Sequence, residues 1–272
     1  MDPHKHDEQR KTVQGVVAPP NLKELEGTIR SRAGDILDDL PLNKTFDWVD
    51  TVSIELTTQM LATLFDFPYH DRRKLTRWSD VVFARLGEGV IESDEQRINE
   101  LLECLDYFSK LWKERENDPS GNDFVSMMIR GDATRNLSPQ EYLGNILLLI
   151  VGGNDTTRNS ISGGVLALNQ HQREYQKLRE NPALIPNMVS EIIRWVTPLA
   201  HMRRTVTKDF EFRGQQMKAG EKVIMWYASG NRDERVIACP EEFKIDRDRA
   251  RNHLSFGFGL HRCMGNRMAE MQ

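Results

Sequence analysis

The run Phe256-Gly257-Phe258-Gly259-Leu260-His261-Arg262-Cys263-Met264-Gly265 decides how the rest of this 272-residue chain is read. It is not a phosphate-binding loop. After Gly257 and Gly259 the place of a third glycine is taken by Arg262, and no Lys-Ser/Thr pair comes after it. Cys263 on its own is more often a small buried hydrophobe than a ligand. Its neighbours change that. Gly257, Gly259 and Gly265 allow positive φ and let the backbone approach a flat partner closely, leaving amide donors near the sulfur. A helix expected just after Cys263 turns its positive end toward the sulfur and favours thiolate over thiol. These residues describe a ligand-capable thiolate with room for a flat body beside it.

Working outward, the bulk composition narrows the field. Hydrophobic residues at 39% and charged residues at 29% suit an ordinary globular protein. A net charge of −4 argues against a nucleic-acid binder, which usually carries a strongly basic face. The start, Met1-Asp2-Pro3-His4-Lys5-His6, has no apolar core of a secretory signal. Ile146 to Val151, the longest apolar stretch, is far too short to cross a bilayer. Cys104, Cys239 and Cys263 form no CxxC pair, so neither a disulfide framework nor a zinc knuckle is suggested. A reducing, cytoplasmic protein with no membrane span is expected.

Helical periodicity fills the first three quarters: Asn21 to Leu40, Trp48 to Phe65, Arg73 to Arg85, Glu95 to Glu116 and a short helix from Asn122. Ser138-Pro139-Gln140-Glu141 is the clearest helix start, a capping box with proline in the first helical position. From there the pattern runs to about Leu168, and its first half, apolar nearly all round, is expected to be buried. Pro186 opens another helix that closes at Trp195 to Pro198. The period then shortens: Phe210 to Met217 reads as a hairpin, and Lys222 to Tyr227 as a strand.

Two further motifs lie on these helices. Gly152-Gly153-Asn154-Asp155-Thr156-Thr157 sits mid-helix, where each glycine costs ~1 kcal/mol relative to alanine. Mid-helix threonines often bond back to the carbonyl four residues earlier. Glycines also let another body press on the helix, and an acid beside an alcohol can move protons. Glu191-Ile192-Ile193-Arg194 places its charges at i and i+3, away from an apolar stripe, and taken alone is a solvated ion pair.

Taken together these motifs resemble the cytochrome P-450 superfamily. Phe-Gly-x-Gly-x-His-x-Cys-x-Gly is its haem-binding signature, and every fixed position is present here. The resemblance implies a mainly α fold with a small β-sheet, haem b (iron protoporphyrin IX) with Cys263 as the axial iron ligand, and O2 as co-substrate. It implies that Thr156 hydrogen-bonds the dioxygen intermediates and that Asp155 feeds a proton relay. His6 and Arg10, four apart on one helical face, resemble the family's His-x-x-x-Arg. With Arg204 and His261 they are the expected partners of the haem propionates. Glu191, Arg194 and Arg247, the last placed after Pro240-Glu241-Glu242-Phe243, match a structural Glu-Arg-Arg network. Arg247, Arg249, Arg251 and Arg262 are either a solvated charge run or a positive patch that steers an acidic ferredoxin.

Val52 to Thr58, Leu148 to Gln170, Ser190 to Thr205 and His253 to Gln272 resemble one bacterial branch more closely, the soluble medium-chain alkane terminal hydroxylases. The implied activity is hydroxylation of the terminal carbon of a linear alkane or fatty acid. Electrons come from NAD(P)H through ferredoxin reductase and ferredoxin. Leu148, Leu149, Val151 and Leu199-Ala200-His201-Met202 are candidate walls of a hydrophobic substrate pocket. A terpenoid or other lipophile is the alternative substrate class, and a non-catalytic haem protein is a third reading, which the Asp155-Thr156 pair opposes. Against the family pattern the chain lacks the N-terminal helices and sheet, the loop before the His6 helix and most of the segment beyond the start of the ligand helix. One partial domain over 1–272, truncated at both ends, is therefore expected.

Overall fold

The computed structural model describes residues 2–272. In chain order the helices and strands are α1 (Lys5–Val13), α2 (Pro19–Asp38), α3 (Glu55–Phe65), α4 (Arg73–Phe83), α5 (Asp94–Arg115), α6 (Phe124–Arg130), α7 (Pro139–Gln170), α8 (Gln172–Glu180), α9 (Ile185–Val196), β1 (His201–Thr205), β2 (Phe210–Phe212), β3 (Gln215–Met217), β4 (Lys222–Trp226), α10 (Tyr227–Gly230) and α11 (Asn266–Met271). The chain divides into two compact units, Met1–Ser162 with Met264–Gln272, and Gly163–Cys263. The fold is mainly α with small antiparallel sheets, as expected. Among the described residues no helix is long and apolar enough to cross a membrane.

The first unit is built on an aromatic core. Phe65 ends α3 and Phe67 lies just beyond it, Trp78 comes from α4, Phe108 from α5 and Phe124 from α6, all buried. Phe65 lies 5.2 Å from Phe108 and 5.1 Å from Phe124, and Phe67 stacks on Tyr107 at 4.6 Å between ring centroids. Burying each such side chain contributes about 1.5–3 kcal/mol. α4 is held by Leu75, Trp78 and Val81, spaced three apart on one face. A π-helical turn, Val49–Ile54, leads into α3 inside the span expected to be one helix.

α7 starts where the capping box predicts. The Ser138 backbone N–H and hydroxyl both donate to Glu141 Oε2, at 3.1 and 2.9 Å, closing the box. With 32 residues it is about 48 Å long at ~1.5 Å per residue. Its apolar start is not buried all round, contrary to expectation. Ile146 and Ile150 enter the core, whereas Gly144, Leu148 and Gly152, four apart, form an open stripe.

In the second unit, β1 pairs with β4 antiparallel, placing Arg204 opposite Val223, and β2 pairs with β3 as the expected hairpin. The core is Ala167, Phe243 and Ile245 with Trp195 packed against them. The α8 carboxylate Glu174 accepts from the Ile245 amide at 2.9 Å. The sequence pattern predicts neither α8 nor β1.

Candidate functional site

The second unit supplies the cysteine loop and its support. Gly257 and Gly259 have φ of 68° and 75°, the left-handed region that glycine enters at no steric cost. Gly257 N–H donates to Leu254 O at 2.7 Å, and Cys263 N–H donates to Phe256 O at 2.8 Å, so the loop folds back on itself around Cys263. Gly265 differs from expectation: its φ is −91° and it serves as the residue before α11, which begins three residues after Cys263. A Cβ at Gly259 would meet nothing within 4 Å, and Phe258 and Leu260 beside it are exposed, the former 86%. An apolar, open face therefore flanks Cys263 and His261, both half-buried in one loop. Cys263 is a thiol rather than half of a disulfide. Cys104, by contrast, sits in the first unit's core, where burial pushes its thiol well above the usual range.

Glu191 and Arg194 do not form the solvated pair that their i, i+3 spacing suggests by itself. They are 0% and 1% exposed, and Arg247 joins them at 8%. Arg194 forks onto Glu191, Nε to Oε2 at 2.7 Å and Nη2 to Oε1 at 2.8 Å, while Arg247 Nε donates to Glu191 Oε2 at 2.9 Å. The remaining guanidinium donors go to backbone carbonyls of Asn231, Pro240, Ala238, Cys239 and Glu242. This is the Glu-Arg-Arg network. It also removes Arg247 from the basic patch suggested by the sequence, because its charge is spent inside the fold.

Asn231, fully buried and not singled out in the sequence, carries the network toward the cysteine loop. Its backbone carbonyl accepts from Arg194. Its Nδ2 donates to the Thr197 and Ser255 hydroxyls, both at 2.8 Å, and its Oδ1 accepts from Leu254 N–H at 2.7 Å. Ser255 in turn donates to Ile193 O at 2.8 Å. The end of α9 and the start of the cysteine loop are thus tied through one amide side chain. Its partners lie 23 to 37 residues away, which is why no local pattern announced it.

The first unit holds Asp155 and Thr156 side by side on α7, both half-buried next to the open stripe at Gly152. The Thr156 hydroxyl donates to Gly152 O at 3.2 Å, the ordinary bond of a mid-helix threonine. Asp155 Oδ1 accepts from Arg158 Nη2 at 2.7 Å, and Oδ2 accepts from Asn159 Nδ2 at 3.2 Å. Asn154 faces the opposite way, fully buried, with Thr57 donating to its Oδ1 at 3.2 Å. His6 and Arg10 share α1, and His6 Nδ1 lies 2.8 Å from Asp7 Oδ1. Arg204 is on β1 in the second unit, half-buried, with Nη1 on the neighbouring Arg203 carbonyl at 2.9 Å.

Comparison with known proteins agrees with this architecture. Residues 31–272 match the family Cytochrome P450. The chain belongs to the cytochrome P450 family. It is 33% identical over its full length to linalool 8-monooxygenase of Pseudomonas putida, covering 67% of that protein. It is 36% identical to a steroid C26-monooxygenase of Mycolicibacterium smegmatis, covering 62%. Among solved structures it is similar to cytochrome P450-153 from Novosphingobium aromaticivorans, with a TM-score of 0.91 and 49% identity over the whole chain and 66% of that protein. CYP153D17 from Sphingomonas sp. is matched equally well, over 68% of its length. The chain thus spans about two thirds of these relatives.

The P450 family uses haem b and O2, and the two curated relatives named here are monooxygenases. The residues present fit that cofactor. The glycine turns leave an open apolar face at Cys263, where a Cβ on Gly259 would meet nothing within 4 Å.

Proposed function

We propose that this P450 is a haem-thiolate monooxygenase that hydroxylates the terminal carbon of medium-chain n-alkanes or fatty acids. It works in the cytoplasm with electrons from NAD(P)H delivered by ferredoxin reductase and a ferredoxin. The carrying observation is the Cys263 loop, folded on two left-handed glycines and tied through Asn231 to the buried Glu191–Arg194–Arg247 network. Bound there, haem b supplies activation of O2 and insertion of one oxygen atom into a C–H bond.

The chain's own residues have distinct parts. Cys263 provides the thiolate ligand, and the glycine turns keep its loop open to a flat partner. His6, Arg10, Arg204 and His261 are the donors to the propionate carboxylates, where hydrogen bonds to a charged acceptor are strong. The Thr156 hydroxyl can leave Gly152 O and donate outward. Asp155, partly open to solvent, can take up a proton and pass it on. The exposed Leu148 contributes an apolar wall suited to an alkyl chain.

Alkane specificity is supported by the four stretches that resemble the alkane branch. The 49% identity to P450-153 structures also exceeds the 28–36% of the curated relatives that act on linalool, steroids or lipids. A relative named methyl-branched lipid omega-hydroxylase, 31% identical, is in keeping with attack at a chain end. The 33% identity to linalool 8-monooxygenase favours a terpenoid as the second reading. Incubation with a ferredoxin system and n-alkanes of several lengths, beside linalool, tests the choice. Mass spectrometry is expected to find 1-alkanols as the main products. Internal alcohols only, or oxidised linalool without alkanols, would contradict it. Thr156→Ala is expected to lower product formed per NAD(P)H consumed by about tenfold or more, the direction expected when a positioned proton donor is removed.

A further inference from the structure

Asp155 does not stand alone on α7. Arg158, one turn on, donates from a single nitrogen, Nη2, to two carboxylates: Asp155 Oδ1 at 2.7 Å and Asp80 Oδ1 at 2.9 Å. Asp80 belongs to α4, 78 residues away in sequence and in the same compact unit. All three side chains are half-buried. An acid and an arginine at i and i+3 ordinarily make a loose pair, because the long cation keeps its freedom. Here the same nitrogen is also held by Asp80 of α4, so the guanidinium presents a set position to Asp155. Asn159 holds the other oxygen, Oδ2, at 3.2 Å. The surrounding charges are already committed elsewhere: Arg77 of α4 forks onto Glu100, and Arg97 caps the end of α4 through the Val81 and Ala84 carbonyls. Arg158 is the cation that hydrogen-bonds both Asp80 and Asp155.

We propose that Arg158 is a positioning residue for Asp155, holding its carboxylate on α7 through a guanidinium anchored by Asp80 of α4. The proposal rests on the reading of Asp155 as a proton carrier. A carboxylate that must collect a proton from solvent and hand it on needs a defined resting place and a bond it can leave. The shared Nη2 supplies both, since half of its hydrogen-bonding capacity remains on Asp80 when Asp155 swings away. Lysine keeps the charge, but as a flexible ammonium rather than a planar guanidinium, so it replaces Arg158 only in part.

The test is a set of variants in the haem-loaded enzyme, read by product formed per NAD(P)H consumed and by the solvent deuterium isotope effect on turnover. Arg158→Ala is expected to cut coupling at least threefold and change the isotope effect. Arg158→Lys should recover part of the loss, and Asp80→Asn should reproduce part of it. In an Asp155→Asn background, Arg158→Ala should add nothing. A second readout is independent of turnover. The 13C carboxyl resonance of Asp155, in the diamagnetic ferrous carbon-monoxide form, should move in both Arg158→Ala and Asp80→Asn. An Arg158→Ala loss of equal factor in both backgrounds, or an unmoved Asp155 resonance, would overturn the proposal. If Asp155→Asn alone leaves coupling and isotope effect unchanged, the proton-carrier reading fails, and the Arg158 proposal falls with it.

Discussion

Glu191 is a carboxylate removed from water and held by two guanidiniums and the Lys244 amide, the latter at 2.9 Å. A buried ion pair adds little over an apolar replacement, but removing one partner strands the rest, at a cost of about 3–5 kcal/mol. Glu191→Gln is expected to destabilise the protein by that order, seen as a lower denaturant midpoint. A change under 1 kcal/mol would contradict the burial described. His253 gives a pH-dependent counterpart. Burial first, then the charges of Arg194, Arg262 and Arg251, lower its pKa from 6.5 to about 4. It stays neutral, with Nδ1 accepting from the Ser255 amide at 3.3 Å. Above pH 6.5 neither state takes up the proton and nothing is lost. As pH falls from 6.5 toward 4 the unfolded chain binds a proton that the folded chain refuses, and up to about 3 kcal/mol disappears. His253→Asn should flatten that part of the stability profile relative to the parent; an unchanged slope would refute the assignment. At this scale the sequence was legible where chemistry is local, as in the Cys263 loop. It was silent on Asn231 and on the Arg158–Asp80 bond, whose partners come from other elements.

Among the elements, α7 shows how one residue type does opposite things along a helix. A Cβ at Gly163 would lie 2.6 Å from Val196 Cγ2, and one at Gly164 would lie 2.8 Å from Ile192 Cδ1, so α9 packs directly on the glycine backbone. Gly144, on the open stripe, has nothing within 4 Å. Gly144→Ala is therefore expected to stabilise by up to ~1 kcal/mol through helix propensity. Gly163→Ala should lose about 1–3 kcal/mol to overpacking against a stiff β-branched side chain. Urea unfolding of the two variants checks the opposite signs, and equal signs would contradict the packing. The start of α7 was readable because a capping box is a four-residue signal. α8 was not: Gln172–Glu180 carries only Tyr175 and Leu178 as large apolar residues and no stripe. β1, His-Met-Arg-Arg-Thr, has no alternation and owes its strand to pairing with β4, about twenty residues later.

For the whole molecule, the helix-rich class came from spacing that survives without tertiary information, and the family from the resemblance carried by the Cys263 run. The burial of Glu191, Arg194 and Arg247 did not, since their local pattern describes a surface pair and only the convergence of α9 with the Ala238–Arg247 segment buries it. The same convergence takes Arg247 out of the basic run near Cys263, leaving Arg249, Arg251 and Arg262 as its exposed members. A ferredoxin contact, if made there, depends on those three. The central claim is that Cys263 binds haem iron as a thiolate. The most direct measurement is the reduced carbon-monoxide difference spectrum of the haem-loaded protein and of its Cys263→Ser variant. The account predicts the absorption typical of thiolate-ligated haem in the parent and its loss in the variant. A spectrum typical of histidine-ligated haem in the parent, or one unchanged by Cys263→Ser, would contradict it.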